Sequence, residues 1–391
     1  MTTTSLANVK AHLSRYVDSV HDTHERVTIT RNGEPAAVLM SPDDLASLEE
    51  TIAILSDRLR TRPSLDLERA PGCTLKGMDT TQRTPEPVLG AMYFGTRFDD
   101  ALSADLLDAF LDLGGRWVDT ANCYCFWEDP SGVGGQSERA LGRWFASHAG
   151  GRERVRLATK VRHQPLVPHE WPSSSEGLSA EAIARGFAAS LDRLGLDSVD
   201  LLWAHAEDRD VPLAETVEAF GALVDAGQVG RLGASNHAAW RVEQARAIAR
   251  ERGVEPWSAV QLRYSYVWPR PGVTLPEGGH VHAERDQLDH ARTEGLDMWA
   301  YSPLLTGAYV RDDRPLSEGY DHPGTYRRLA VLAEVADEVG ATRNQVVLAW
   351  LLAQGVSPIL GVSSLDQLTE AMAARDLDLP EELLARLDAA V

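Results

Sequence analysis

Asp119, Tyr124, Lys160 and His205 carry side chains that together can deliver a proton to an oxygen. A free tyrosine titrates near about 10, too high to donate readily at neutral pH. A neighbouring ammonium favours the phenolate and lowers that value. Lys160 can supply the ammonium, and Asp119 can hold it charged and oriented. His205 can hydrogen-bond a substrate oxygen or relay a proton. Tyr124 then becomes a general acid for an oxygen that turns into an alkoxide, which is what carbonyl reduction by a hydride donor needs.

These residues need elements that bring them together. From Pro87 on, apolar strand-like runs alternate with amphipathic helical patterns. The runs are 88–92, 116–119, 155–160, 199–205, 229–235, 259–264, 297–302 and 358–362. Helical spacing marks 104–113, 137–147, 180–194, 213–226, 239–251, 285–294 and 343–353 between them. Repeated strand–helix alternation means a parallel sheet with crossover helices. Eight such units suit a (β/α)8 TIM barrel better than an open doubly wound sheet, since no GxGxxG follows the first strand. In a barrel the active site lies at the C-terminal strand ends. The second strand ends in Asp119, the third in Thr159-Lys160, the fourth in His205, the fifth in Ser235-Asn236 and the seventh in Tyr301-Ser302; the sixth opens with Gln261. One such residue is usually a cap or a solvated loop residue. A ring of them on one rim is hard to read as structural.

Composition narrows the class. The 391 residues carry 43% hydrophobic and 25% charged residues, as an ordinary globular chain does. No apolar run approaches the about 18 residues of a membrane span, and no secretory leader precedes the first helix. Three cysteines, Cys73, Cys123 and Cys125, make no disulfide framework and no CxxC pair, which fits a cytoplasmic protein. A net charge of −20 argues against broad attraction to nucleic acid or acidic lipid. His280 and His282 have no carboxylate cluster at metal-ligand spacing, so no metal is expected.

Residues 87–391 resemble the aldo-keto reductase family over nearly their whole length. The resemblance rests on VDTANCY (118–124), LATK (157–160), VDLLWAH (199–205), GQVGRLGASN (227–236), AVQLRYS (259–265), WAYSPL (299–304), NQVVLAWLL (344–352) and ILGVSSLDQLTE (359–370). It implies the tetrad Asp119, Tyr124, Lys160 and His205, and NADP(H) as cofactor. It implies Ser235, Asn236 and Gln261 on the nicotinamide carboxamide, and Tyr301 stacked on the nicotinamide ring. Ser302, Leu304 and Gly307 would lie along the pyrophosphate. Gly361, Ser363, Ser364, Gln367 and Glu370 would surround the adenosine half, and Gly90, Ala91 and Met92 would lie beside the cofactor. The implied reaction is reduction of an aldehyde or ketone, a small-molecule carbonyl substrate.

Three positions depart from the family's habit. A glycine usually follows the tyrosine; here Cys125-Phe126-Trp127 follow, then EDPSGVGGQSE (128–138), so Phe126 and Trp127 are candidate substrate-pocket walls. Ser363 and Ser364 stand where many members carry Arg or Lys for the 2′-phosphate. Two hydroxyls supply no charge, so NAD(H) stays open beside NADP(H). Ala371 replaces the Asn that often follows the adenine-contacting Glu.

The first 57 residues read as a separate small unit. Leu6, Val9, Leu13, Tyr16, Val17 and Val20 recur at helical spacing, which predicts one helix over 6–20. RVTIT (26–30), Asn32-Gly33 and AAVLM (36–40) predict a hairpin. Ser41-Pro42 caps a second helix. Residues 58–86 have linker composition. Residues 3–57 resemble the DNA-binding half of Phd/YefM (prevent-host-death) antitoxins through LANVKAHLSRYVDSV and VTITRNGEPAAVLMSPDDLASLEE. That resemblance implies homodimer formation and operator-DNA binding, with Lys10, Arg15 and Arg31 as contacts. Residues 1–77 hold nine Lys+Arg against eleven Asp+Glu, a net of −2, a poor electrostatic match to DNA. Met78 opens a segment that looks like a reductase start. The expected protein is thus an oxidoreductase with an antitoxin-like appendage. The alternative is a DNA-binding regulator whose barrel senses nicotinamide nucleotide.

Overall fold

The computed structural model describes residues 2–23, 27–32, 34–42, 84–273 and 280–390. The chain divides into two compact units, Met1–Met78 and Asp79–Val391.

In the first unit, strands β1 (Thr2–Ser5), β2 (Val27–Arg31) and β3 (Glu34–Leu39) form a three-stranded sheet in that order. β1 pairs parallel to β2, and β2 pairs antiparallel to β3. β1 was not expected; its threonines are strand formers that find edge pairing on β2. Asn32 adopts a left-handed φ of 55°, as the Asn-Gly hairpin signal requires. The single helix expected over 6–20 is instead two, Leu6–Ala11 and Leu13–Thr23, broken where His12 leaves helical geometry (φ −136°, ψ 36°). Ser5 caps the first, and the Tyr16 hydroxyl ties the second back to Asn8 at 2.9 Å. The break turns Leu13 and Val17 outward while Val9 and Val20 are buried. The helix expected after Ser41-Pro42 and nearly all of the expected linker lie outside the described residues.

The second unit is a closed eight-stranded barrel. Its strands are β4 (Val88–Gly90), β5 (Trp117–Asp119), β6 (Arg156–Val161), β7 (Val199–Ala204), β8 (Val229–Ser235), β9 (Ala259–Arg263), β10 (Asp297–Tyr301) and β11 (Val356–Leu360). All neighbours pair parallel, and β11 closes on β4. All eight expected strands occur, with ends shifted by up to two residues; the last starts at Val356, which leaves Gly361 beyond its end. Gln261 is the third residue of β9, not its first. Helices Pro323–Val339, Leu365–Ala373 and Glu381–Asp388 join those expected.

Period-two alternation splits the core. Val88, Trp117, Ala158, Leu201, Trp203, Ala259, Trp299 and Ile359 fill the barrel interior. Trp299 meets both Trp117 and Trp203 edge-on, at 5.2 Å between ring centroids. Gly233 makes room for this layer: a Cβ there would sit 2.4 Å from the Trp203 ring. The outward side chains, such as Val118, Leu157, Leu202 and Leu232, pack under the helices. Two residues beyond the interior layer, the same side of each strand carries polar groups. Asp119 follows Trp117, Lys160 follows Ala158, His205 follows Trp203, Gln261 follows Ala259 and Tyr301 follows Trp299. The sheet therefore delivers them to one end as a ring.

Candidate active site

Lys160 organises the centre of this ring. Its side chain is 0% exposed and Asp119's is 2%. The ammonium donates to Asp119 Oδ2, to the Thr120 carbonyl at 2.8 Å and to the Tyr124 hydroxyl at 2.8 Å. An ammonium has three protons, and all three are thereby committed. Because Tyr124 Oη accepts from Lys160, its own proton is free to point at a substrate oxygen. Gln261 Nε2 donates to the other Asp119 oxygen at 3.1 Å, which fixes the carboxylate plane.

The electrostatics correct one expectation. Burial, and then the Asp119 carboxylate, push the Tyr124 phenol up rather than down. The Lys160 charge is balanced by Asp119, so it does not outweigh desolvation. Burial pushes the Asp119 carboxyl up and the Lys160 ammonium down, and their mutual contact opposes both shifts. His205 is held well below the usual histidine range by burial and by His163 and Lys160 nearby. It is thus neutral, with one donor and one acceptor nitrogen, and not a cation. Cys123 Sγ lies 3.6 Å from His205 Nδ1, and the His205 ring meets the Tyr124 ring edge-on at 5.8 Å.

A second layer holds these groups. Ser137 Oγ joins Thr120 Oγ1 at 2.6 Å and donates to the Ala91 carbonyl at 2.6 Å. Glu138, 0% exposed, accepts from Thr159 at 2.5 Å and from Arg193 at 2.7 Å. Glu176 accepts from Asn122 and from the Arg162 backbone. Cys125 is buried with φ 64°, a left-handed conformation favoured by glycine, and its thiol donates to the Met92 carbonyl at 2.9 Å. The family's glycine habit at that position has its physical reason here.

The groups expected around a cofactor lie along one arc of the rim. Asn236, at φ 55°, donates to the His205 carbonyl and to Ser235 Oγ, and its Oδ1 accepts from Tyr301 Oη at 2.7 Å and from the Val281 backbone at 3.0 Å. Gln261 points to Asp119 rather than standing free. Gly90 packs tightly: a Cβ there would meet Ile359 at 3.0 Å and the Leu360 carbonyl at 3.1 Å. Ser302, Leu305, Thr306 and Gly307 all have positive φ, with Leu304 leading into a short 3-10 turn. Turns can gather backbone N–H groups into anion-binding concavities; here Leu305 N and Gly307 N bond the Ser302 and Leu304 carbonyls, at 3.2 and 2.8 Å. Ser364 caps the helix Leu365–Ala373 and accepts from the Gln367 backbone at 3.3 Å. Ser363 donates to Gln367 Oε1 from both its backbone, at 2.9 Å, and its hydroxyl, at 3.1 Å. Glu370 accepts from Thr342 at 2.6 Å. Arg375, downstream of this helix, donates to the Leu113 carbonyl at 3.2 Å.

Phe126 and Trp127 stand on the loop after β5, and the structure adds partners that no motif signalled. Trp171 and His163, from the loop after β6, complete a line of rings. Among the described residues no group of three His, Cys, Asp or Glu side chains converges as metal ligands. None of the described helices is long and apolar enough to cross a membrane. Lys10, Arg15 and Arg31 are all exposed on the small unit.

A parallel barrel with a Tyr–Lys–Asp–His cluster at its C-terminal rim defines a class of barrel oxidoreductases. Residues 88–391 match the Aldo/keto reductase family, and the chain belongs to it. Residues 1–69 match the family Antitoxin Phd_YefM, type II toxin-antitoxin system. The chain is 32% identical to the uncharacterized oxidoreductase YrpG of Bacillus subtilis (strain 168), over 79% of this chain and 93% of that protein. It is 29% identical to the aryl-alcohol dehydrogenase GME11368 of Pestalotiopsis microspora, over 75% of each chain. It is 28% identical to the norsolorinic acid reductase stcV of Emericella nidulans, over 77% of this chain and 76% of that one. Among solved structures it resembles the thermostable aldo-keto reductase Tm1743 in complex with the inhibitor epalrestat. The TM-score is 0.59 and the identity 26%, over 78% of this chain and 95% of that one.

Proposed function

We propose that the chain reduces aldehyde or ketone carbonyls to alcohols with NAD(P)H, and that Tyr124 is the general acid. The observation that carries this is the Lys160 donor count: an ammonium with all three protons committed leaves the Tyr124 proton free. When bound, the nicotinamide supplies the hydride to the carbonyl carbon. The chain's part is to hold the carbonyl oxygen between Tyr124 Oη and the His205 imidazole, and to protonate the alkoxide as it forms. The raised phenol keeps Tyr124 protonated until that charge appears, and Lys160 then faces the phenolate left behind. Asn236, Tyr301 and the positive-φ turn through Gly307 fit a nicotinamide and a pyrophosphate. The N-terminus of the helix Leu365–Ala373, capped by Ser364, fits the adenosine-side phosphate. NADP(H) is the assigned cofactor, with NAD(H) accepted.

The small unit is assigned to self-association, since Leu13, Val17 and Val38 are exposed apolar side chains in a unit too small to bury them alone. Lys10, Arg15 and Arg31 are its candidate operator-DNA contacts. A regulator as the main role finds no support in the relatives, whose names are those of oxidoreductases and reductases. The test is NADPH oxidation followed optically over aldehydes, ketones and quinones. Turnover with none of them ends the proposal.

A further inference from the structure

Five ring contacts run outward from the acid without a break. Tyr124 meets His205 at 5.8 Å, His205 meets His163 at 5.1 Å, and His163 meets Trp171 at 5.6 Å. Trp171 meets Phe126 at 5.9 Å, and Phe126 meets Trp127 at 5.0 Å. The rings come from three different loops. The segment that departs from the family's habit after Tyr124 contributes Phe126 and Trp127. The loop after β6 contributes His163 and Trp171, and the end of β7 contributes His205.

The two aromatic loops are fastened to each other. His169 donates its backbone N–H to the Gly132 carbonyl at 3.1 Å, and its Nε2 meets the Pro130 carbonyl at 3.3 Å. A bridge between Pro165 and Ser175 and a 2.7 Å bond from Leu166 N to the Ser174 carbonyl fold the second loop on itself. Asn122 and the Arg162 backbone both bond Glu176 at its far end. The aromatic line is therefore part of a built wall.

Its outer members are left wet. Trp127 is 47% exposed and Trp171 37%, with Leu166 and Val167 exposed on the same loop. A contiguous exposed apolar surface continuous with a reaction centre calls for an apolar occupant. Successive centroids stand 5–6 Å apart. A ring whose carbonyl is held at Tyr124 would meet His205 and His163 first, and Trp171 stands one contact further along. Resting on the carbonyl-reductase reading, we infer that the substrate is an extended planar aryl carbonyl compound of two or more fused rings, whose far end lies against Trp171 and Phe126. Aromatic pairs contribute about 0.5–1.5 kcal/mol each beyond area burial, so two outer contacts give roughly a tenfold or larger preference.

The test compares kcat/KM of the full chain for 2-naphthaldehyde, benzaldehyde and propanal with NADPH, in wild type, Trp171→Ala and Phe126→Ala. The expected order is naphthaldehyde above benzaldehyde above propanal. The naphthaldehyde-to-propanal ratio should fall about two- to tenfold in either variant, with Tm and gel-filtration volume recorded for each. Equal loss on all three substrates, or no wild-type preference for the fused ring, overturns the inference. A change of oligomeric state in Trp171→Ala without a change in the ratio overturns it too, since the wall would then be a contact between copies. Calorimetric binding of 2-naphthalenemethanol, weakened at least fivefold by Trp171→Ala, reads the wall without turnover. Absence of turnover with intact binding would defeat the reductase reading and leave the wall standing.

Discussion

Lys160 Nζ and Tyr124 Oη lie 2.8 Å apart, with the nitrogen as donor. Removing the phenol oxygen leaves that ammonium facing a void, and the substrate oxygen loses its acid. Tyr124→Phe should lower kcat by about 10²–10⁴-fold while fluorescence titration shows NADPH affinity nearly intact. Lys160→Met should do similar damage, because the phenolate then has no counter-charge. A Tyr124→Phe enzyme retaining more than about a tenth of the wild-type rate would remove Tyr124 from its role.

Cofactor preference should be modest. Ser363 and Ser364 bring hydroxyls and a helix N-terminus but no cation, and Arg375 is held on the Leu113 carbonyl. Charge-assisted hydrogen bonds are roughly twice as strong as neutral ones. NADPH should therefore bind no more than about a hundredfold more tightly than NADH, and Ser363→Arg should widen the gap at least about tenfold. Paired fluorescence titrations decide it; a preference above a thousandfold in the wild type would mean that an unidentified cation reaches the phosphate.

Cys125 predicts an asymmetry between two substitutions. At φ 64° a glycine is unstrained and a β-branched residue is not. Cys125→Gly should stay within about 1 kcal/mol of wild type, the relieved strain offsetting the lost thiol contact to Met92. Cys125→Val should cost about 2 kcal/mol or more and slow turnover by displacing the adjacent Tyr124. Chemical denaturation of the two variants is the measurement, and equal stabilities would contradict the argument.

Acid should destabilise the barrel through buried histidines. His237 is held down to about 4 by burial, against the usual value near 6.5, while Nδ1 contacts the Ser235 carbonyl at 2.7 Å. The unfolded chain takes up a proton that the folded chain refuses. The stability from neutral His237 is therefore complete above the unfolded value and is lost as pH falls toward 4, about 2 kcal/mol by pH 5. His163, down to about 3, and His282, down to about 4, act in the same direction. Melting temperature should drop between pH 7 and 5, and His237→Asn, which keeps a donor for Ser235, should flatten that slope.

The division at Met78 and Asp79 predicts separable folds. A chain starting at Met78 should keep reductase activity and the barrel's melting transition. Residues 1–77 should carry any gel-shift activity, which should weaken steeply with salt. An inactive or unfolded 78–391 would make the first unit an integral part of the enzyme.

The barrel was legible because its code is redundant. Trp117 and Asp119, or Trp299 and Tyr301, state both a strand and which of its faces turns inward, and the same statement recurs around the sheet. That Asp119, Lys160 and His205 come to one end of the sheet followed from the same alternation. What was not legible is what tertiary contact alone decides. His163 and Trp171 sit in a loop without periodicity, and only its docking by His169 on Pro130 and Gly132 brings them to His205 and Phe126. The break at His12 was hidden because helical spacing runs unbroken through it. The direction of the Tyr124 shift was misread because the ammonium was weighed without the desolvation that comes with its position.

The pairing of β11 with β4 has a consequence for synthesis. Glu86 bonds Ser357 across 271 residues, beside the Val88–Ile359 and Leu89–Leu360 pairs. The first barrel strand thus waits for its second neighbour until the last barrel strand has left the ribosome. The sheet of the small unit, by contrast, pairs Thr2 with Val27 and is available from the outset. If copies associate through that unit, two nascent chains can be tethered while their barrels are still open. Each exposed strand edge would then face a high local concentration of its twin, which makes exchange of β11 between copies the misassembly this architecture must outrun.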